Sequence, residues 1–120
     1  MTLSGPCTAF GCNVADLRAN AEHWQVALGC MLEAHTVGRA RNVAFSFDDP
    51  VAYVTAFAER VGTAKPSMLQ DHEAGRLSEL DAINGAIPPL ARALGIPTPY
   101  NDTICAVIRA REAQFERADR

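Results

Sequence analysis

The sequence has no excess of positive charge and no long run of apolar residues. It carries 11 lysine and arginine residues against 14 aspartate and glutamate residues, a formal net charge of -3 at pH 7. No cationic surface for a phosphate backbone is therefore expected, and nucleic-acid binding is not predicted. No apolar run approaches the roughly 18 residues of a membrane-spanning helix, and the first residues lack the basic start and apolar core of a secretion signal. We expect a cytoplasmic protein without a membrane partner.

Sequence motifs for metals and dinucleotides are also missing. The four cysteines are Cys7, Cys12, Cys30 and Cys105. They form no C-x-x-C pair, and the three histidines show no H-E-x-x-H spacing, so no metal site is predicted and we expect free, largely buried thiols. No two glycines stand in a G-x-G arrangement, so these residues cannot build the pyrophosphate cradle of a dinucleotide site. No cofactor is expected to bind to this chain alone.

The residues that are abundant favour helices. The chain has 120 residues, 48% of them hydrophobic, and 21 are alanine. That length supports one hydrophobic core, and alanine is the strongest helix former. We therefore predict an all-α, multi-helix bundle that forms a single domain over residues 1–120, with no Rossmann domain.

Apolar residues recur at helical spacing along the chain. The first stripe begins after Asn13, a good N-cap residue, and is predicted to continue as one helix to an end near Gly38. The second starts at Asp49-Pro50, where aspartate is a cap and proline suits the first turn, and Gly62 is placed to stop it.

The second half of the chain is helical in pattern but interrupted. A stripe runs through Leu77, Leu80, Ile83 and Ile87 towards Leu94. Pro88-Pro89 falls inside it, and proline in a helix removes an amide donor and clashes with the preceding turn. We expect a kink or a new helix start at these prolines, and a final helix that begins near Pro99 or Asn101.

Five short motifs in the second half are more specific than any periodicity. They are P-S-M-L-Q-D at 66–71, G-R at 75–76, S-E-L-D at 78–81, N-G at 84–85 and G-I-P-T-P-Y-N at 95–101. In this order and spacing they closely resemble the C-terminal helical domain of ketopantoate reductase (2-dehydropantoate 2-reductase), which has the 6-phosphogluconate dehydrogenase C-terminal-like fold. The likeness is weaker towards the N-terminus, where G-P-C-T-A at 5–9 stands in place of the family's N-P-x-T-A.

The resemblance implies a part of an enzyme of pantothenate biosynthesis. In that family NADPH, held by an N-terminal Rossmann domain, reduces ketopantoate against the helical domain. The family's proton-donating lysine lies upstream of the N-P-x-T-A motif, and no residue of this chain matches it. We therefore expect no reductase activity from this chain alone, and as partners a ketopantoate-like small molecule, a separate Rossmann-domain chain and a second copy in a homodimer.

Two residues match family site positions. The resemblance implies that Ser67 hydrogen-bonds the substrate carboxylate and that Glu79, the candidate catalytic residue, contacts the hydroxyl end of the substrate. A hydroxyl can donate to an anionic oxygen, and a carboxylate can accept from an alcohol. Read without the family, Ser67 is a helix N-cap that forms a capping box with Gln70, and Glu79 is a solvated surface residue.

Other residues leave alternatives open. Asp81, Asn84 and Gly85 either stabilise the local structure or contact a ligand, and Gly85 would permit close helix approach. Lys65, the only lysine, is either a displaced proton donor or a solvated loop residue. The alternative for the whole chain is a helical self-association or protein-interaction module that has lost ligand binding.

Overall fold

Seven α-helices and two 3₁₀ turns make up the regular structure in the computed structural model, which describes residues 2–118. The helices are α1 (Ser4–Phe10), α2 (Val14–Ala19), α3 (Ala21–Ala40), α4 (Pro50–Val61), α5 (Ser67–Glu73), α6 (Ile87–Leu94) and α7 (Pro99–Ala118). The 3₁₀ turns, Leu80–Ala82 and Asn84–Ala86, lie between α5 and α6. No strand occurs between residues 2 and 118, which confirms the predicted all-α class.

The short helix α1 was not predicted. All of its residues from Ser4 to Ala9 are buried, and Gly11 ends it with the left-handed φ of 66°. Its small side chains let it pass through the centre of the bundle, where it packs on α5 and α7. Its helical pattern is hard to read from sequence because a fully buried helix has no polar face.

The prediction of one continuous helix from Asn13 to Gly38 is wrong, because the chain breaks at Asn20. Asn20 has an extended backbone, with φ -96° and ψ 112°, and its side chain accepts a hydrogen bond from His23 N at 3.1 Å. It is thus the N-cap of α3, as Asn13 is for α2, where its side chain accepts from Asp16 N. α3 continues through Gly38 and ends at Ala40.

The helix ends that carry strong cap signals lie where the sequence predicts them. Asp49 caps α4 by accepting from Ala52 N at 3.1 Å, and Gly62 is its C-cap. α6 starts afresh with Pro88 and Pro89 in its first turn, where proline needs no donor, and α7 starts at Pro99.

The stripe from Leu77 to Ile87 does not form the helix that its spacing suggested. Residues 76–79 have no regular structure, and Ile83, with φ -113° and ψ -105°, separates the two 3₁₀ turns. A Cβ at Gly85 would lie 2.8 Å from the Leu80 carbonyl oxygen, so the chain approaches its own backbone there. Gly85 therefore permits a tight local turn. The alternative from the sequence, that it permits two helices to approach closely, does not describe this contact, because the nearest atoms belong to Leu80 and Asp81.

Two groups of buried apolar residues form the core. One consists of Leu3, Cys7, Val14, Leu17, Ala27, Val54 and Ala58. The other consists of Ala9, Cys30, Met68, Leu80, Ile104, Cys105 and Ile108. Because α1 and α3 contribute to both groups, these two helices connect the α2–α4 side of the bundle to the α5–α7 side.

Candidate functional site

Ser67, the first residue of α5, stands at the rim of a cleft of about 260 Å³. The cleft is lined by Leu3, Ser4, Val14, Phe57, Val61, Ala64, Lys65, Pro66 and Ser67. Its apolar lining comes from Leu3, from α2 and α4 and from the loop before α5, and its polar lining residues are Ser4, Lys65 and Ser67. A small ligand with an apolar body and an anionic end fits this distribution of groups.

The capping-box interpretation of Ser67 and Gln70 is wrong. Pro66, with φ -60° and ψ 153°, holds the N-cap position, and Ser67 makes no side-chain cap hydrogen bond. The Gln70 side chain reaches back past it and donates to the Lys65 carbonyl at 2.9 Å. The Ser67 hydroxyl is thus exposed and free of the local hydrogen bond that would compete with a ligand.

Lys65 is already paired. Its Nζ lies 3.0 Å from Glu73 Oε2, with both side chains about half exposed. An exposed ion pair of this kind contributes little to stability, on the order of 0 to 1 kcal/mol, so it would not prevent the ammonium from turning towards the cleft.

Glu79 lies between α5 and the first 3₁₀ turn, with its side chain exposed. Its carbonyl accepts from Ala82 N at 3.1 Å, but its carboxylate makes no hydrogen bond within residues 2–118. Glu79 does not line the cleft at Ser67, so the structure does not bring these two residues together in one cavity.

A buried polar cluster ties the segments of Ser67 and Glu79 to α7. Glu112 Oε2 accepts from the Ser78 amide at 2.7 Å, from the Ser78 hydroxyl at 2.7 Å and from His72 Nε2 at 2.9 Å. The side chains of His72 and Glu112 are 4% and 16% exposed, and the His72 ring meets the Phe115 ring edge-on with centroids 5.0 Å apart. Sequence reasoning missed this cluster because Glu112 lies 40 and 34 positions from His72 and Ser78 and belongs to none of the recognised motifs.

Opposing effects act on the Glu112 carboxyl. Burial raises its pKa, whereas the hydrogen bonds from Ser78 and His72 lower it, and the net result is a pKa below the ordinary value.

Because a carboxylate can only accept, Nε2 is the protonated nitrogen in the His72 contact. His72 Nδ1 is buried with no hydrogen-bond partner among residues 2–118.

Asn84 has a structural role. Its Oδ1 accepts from Gly5 N at 2.9 Å, and its Nδ2 donates to Thr2 O and to Asn101 Oδ1, both at 3.1 Å. Both amide protons are used and the residue is fully buried, so Asn84 has no donor left for a ligand.

The network continues from Asn101 to α3. Asn101 Nδ2 donates to Cys30 O at 3.1 Å and to Glu33 Oε1 at 2.8 Å. The two Glu33 oxygens also accept the amides of Tyr100 and Asn101 at 2.8 and 2.9 Å, so a side chain of α3 caps the start of α7.

Asp81, in contrast, lies on the surface. Its carboxylate is 92% exposed and pairs with Arg109 Nη2 at 3.2 Å. An exposed ion pair of this kind contributes little to stability and restricts the position of either side chain only weakly.

The cysteines are free, and Cys7, Cys30 and Cys105 are buried. Burial raises the pKa of the Cys7 and Cys30 thiols to about 12. Within residues 2–118, no three His, Cys, Asp or Glu side chains come close enough together to hold a metal ion. None of the helices in that range combines the length and apolar composition needed to cross a bilayer.

Comparison with known proteins gives concordant matches. Residues 1–112 match the family model described as "Ketopantoate reductase PanE/ApbA C terminal". The 2-dehydropantoate 2-reductase of Streptococcus pyogenes serotype M6 is 32% identical over 113 residues, which cover 93% of this chain and 37% of that enzyme. The chain thus spans well under half the length of this curated relative.

Solved structures of ketopantoate reductase and of D-mandelate dehydrogenase also superimpose on this chain. The ketopantoate reductase of Ralstonia eutropha JMP134 superimposes with a TM-score of 0.85 at 28% identity, covering 94% of this chain and 38% of that one. D-mandelate dehydrogenase in a ternary structure with NADH and anilino(oxo)acetate superimposes with a TM-score of 0.81 at 29% identity, covering 96% of this chain and 48% of that one.

Proposed function

The chain belongs to the ketopantoate reductase family, in the part that corresponds to the C-terminal helical domain, and from this we propose that it forms the substrate-side wall of a 2-dehydropantoate 2-reductase active centre. The nucleotide is held by a Rossmann domain outside these 120 residues. NADPH supplies the hydride to the ketone carbon when it is bound there. Residues 1–120 act as a single domain that receives the 2-oxo acid.

In this proposal Ser67 donates its hydroxyl hydrogen bond to the substrate carboxylate. The observation that carries this is its placement: the hydroxyl is exposed at the rim of a largely apolar cleft and has no local partner. A carboxylate bound there gains a charge-assisted hydrogen bond, and the ammonium of Lys65, on the same rim, adds favourable charge.

Glu79 accepts a hydrogen bond from the hydroxyl at the other end of the substrate. Its unpaired carboxylate supports this role, since an exposed acid with no protein partner loses none of its own hydrogen bonds when a ligand arrives. Because Glu79 does not line the cleft at Ser67, this role requires that the hydroxyl end of the ligand extends out of the cleft towards the loop after α5.

Ligand-observed NMR tests the binding proposal on this chain. Saturation transfer to ketopantoate and pantoate is expected, and Ser67→Ala should weaken it whereas Ser46→Ala, an exposed serine far along the chain, should not. Absence of transfer from the wild-type protein would contradict the proposal. Mixing the chain with NADPH and ketopantoate should leave the nicotinamide absorbance unchanged, and turnover abolished by Glu79→Gln would overturn the need for a second domain.

Self-association is the second candidate, and exposed apolar side chains favour it. Leu94, Tyr100 and Val107 are 43%, 38% and 39% exposed. Tyr100 also lines, with Val26, Pro99 and Thr103, a shallow cleft of about 260 Å³. A homodimer that covers this surface would remove apolar area from water. Sedimentation of a single monomeric species at micromolar concentration would contradict a dimer, and Val107→Glu should dissociate one that exists.

The free cysteines favour a reducing environment for the proposed protein. Four free cysteines, three of them buried, persist where glutathione and thioredoxin keep thiols reduced, which supports a cytoplasmic location.

A further inference from the structure

Glu112 contacts both chain segments that carry the proposed site residues. His72 lies near the end of α5, the helix that Ser67 begins, and Ser78 immediately precedes Glu79. One oxygen, Glu112 Oε2, accepts hydrogen bonds from both segments at 2.7 to 2.9 Å. The two segments are thereby held at a common point on α7.

The segment before Glu79 has little else to hold it in place. Residues 76–79 have no regular structure, and the Leu77 side chain is 53% exposed. At its start, Arg76 is held to Asp71 by a backbone hydrogen bond of 2.8 Å and side-chain contacts of 3.2 and 3.3 Å. Leu80, just after Glu79, is buried in the core. The Glu112 contact is therefore the polar anchor next to Glu79 on its N-terminal side.

We propose that Glu112 is a positioning residue for Glu79. Its carboxylate accepts hydrogen bonds from both the amide and the hydroxyl of Ser78, and it thereby fixes the orientation of the backbone that leads into Glu79. This inference rests on the proposed function for its consequence, which is that Glu112 sets recognition of the ligand hydroxyl by Glu79. Glu112 itself would not touch the ligand.

Hydrogen bonds from both the backbone and the side chain of one residue restrict its conformation more than a single bond does. The amide bond fixes the peptide plane between Leu77 and Ser78, and the hydroxyl bond fixes the Ser78 rotamer. On the other side of Glu79, Leu80 is held in the core and the Glu79 carbonyl accepts from Ala82 N at 3.1 Å, so the backbone of Glu79 is fixed from both sides. Because Glu112 is largely buried and charged, each bond is stronger than a neutral surface bond.

Two ligands separate hydroxyl recognition from general binding. Ketopantoate carries the hydroxyl, and trimethylpyruvate is the same 2-oxo acid without it. Wild-type protein should bind ketopantoate more tightly, and Glu112→Gln should reduce this preference by roughly tenfold, the effect of one charge-assisted hydrogen bond, while trimethylpyruvate affinity stays unchanged. Glu116→Gln, one turn further along α7 and exposed, is the matched control and should change neither affinity.

Ser78 gives a second pair of variants that does not alter α7. Ser78→Ala removes the hydroxyl donor and should reduce the ketopantoate preference, whereas Ser78→Thr retains the donor and should restore it. Equal loss of both ligands in Glu112→Gln, or a preference that Ser78→Ala leaves intact, would overturn the positioning role.

A measurement without ligand keeps this inference separate from the proposed function. The ¹⁵N heteronuclear NOE at the Glu79 amide should fall in Glu112→Gln and stay at the wild-type value in Glu116→Gln. An unchanged NOE overturns the positioning role. If the NOE falls but wild-type protein binds neither 2-oxo acid, the proposed function fails while the positioning role is supported.

Discussion

Asn84 Nδ2 donates to Asn101 Oδ1 at 3.1 Å in the interior, although the two residues are 17 positions apart in the chain. Asn84 also binds the backbone at Thr2 and Gly5, and Asn101 also binds α3 through Cys30 and Glu33. The N-G and G-I-P-T-P-Y-N motifs that make the sequence recognisable thus meet in one buried network. For these two asparagines the family motif is therefore explained by a structural role in the fold.

Asn84→Ala should be strongly destabilising. It leaves the Gly5 amide and the Asn101 side chain without their buried partner, and unpaired buried polar groups of this kind cost about 2 to 4 kcal/mol in unfolding free energy. Urea denaturation followed by circular dichroism measures the change. Gln25→Ala, an exposed position on α3, is the control, and a loss of under about 0.5 kcal/mol for Asn84→Ala would contradict the network's importance.

Gly5→Ala should destabilise by steric conflict with the same residue. A Cβ at position 5 would lie 2.6 Å from Asn84 Cγ and 2.8 Å from Ile104 Cγ2, closer than atoms pack. Overpacking a buried site costs about 1 to 3 kcal/mol. In a double-mutant cycle the Gly5→Ala and Asn84→Ala effects should sum to more than the double variant loses, because truncating Asn84 makes room for the methyl group. If the two losses of stability simply add in the double variant, this contradicts the steric conflict between a Cβ at position 5 and the Asn84 side chain.

Glu112 should contribute stability that acid removes. Its pKa in the folded protein is lowered, because the hydrogen bonds from Ser78 and His72 outweigh the effect of burial. The stabilisation is therefore present above the ordinary glutamate pKa and is lost as the pH falls through the lowered folded-state value. Urea midpoints between pH 7 and pH 2 should decline less steeply for Glu112→Gln than for wild type, and parallel curves would contradict this.

Thiol reactivity should single out Cys12. Cys7 and Cys30 are buried with pKa values raised to about 12, and Cys105 is also buried with a raised pKa. Cys12 is half-buried, and burial followed by the charge of Asp16 raises its pKa as well, so its labelling should be slow. Intact mass after iodoacetamide treatment at pH 8 should show one adduct in native protein and four after unfolding in guanidinium, matching the four cysteines. Early labelling of Cys7 or Cys30 would contradict the described burial.

Some features could be predicted because their cause is local. Asp49 and Pro50 specify the start of α4. The prolines at 88 and 89 have no N–H to donate, so they predict a kink or a new helix start, and the structure has the new start. The family motifs at 66–101 placed Ser67 and Glu79 as candidates, but whether they act on a ligand stays a prediction.

Other features depend on contacts that spacing does not reveal. Asn20 reads as one more polar residue on the outer face of a long helix, yet it ends α2 and caps α3. The stripe from Leu77 to Ile87 has helical spacing, but Leu80 and Asn84 are drawn into the core by partners on α1 and α7, and the backbone between them turns too tightly for an α-helix.

Composition and motif by themselves determined the helical class, the family and the strongest helix boundaries, since propensity, capping and the loss of proline donors act within a few residues of the chain. The tertiary structure alone decided that α1 is buried, that Asn84 serves the fold and that Glu112 reaches Ser78. Burial and hydrogen-bond partnership depend on residues that only folding brings together, and a buried polar side chain must find its partner wherever the chain places it.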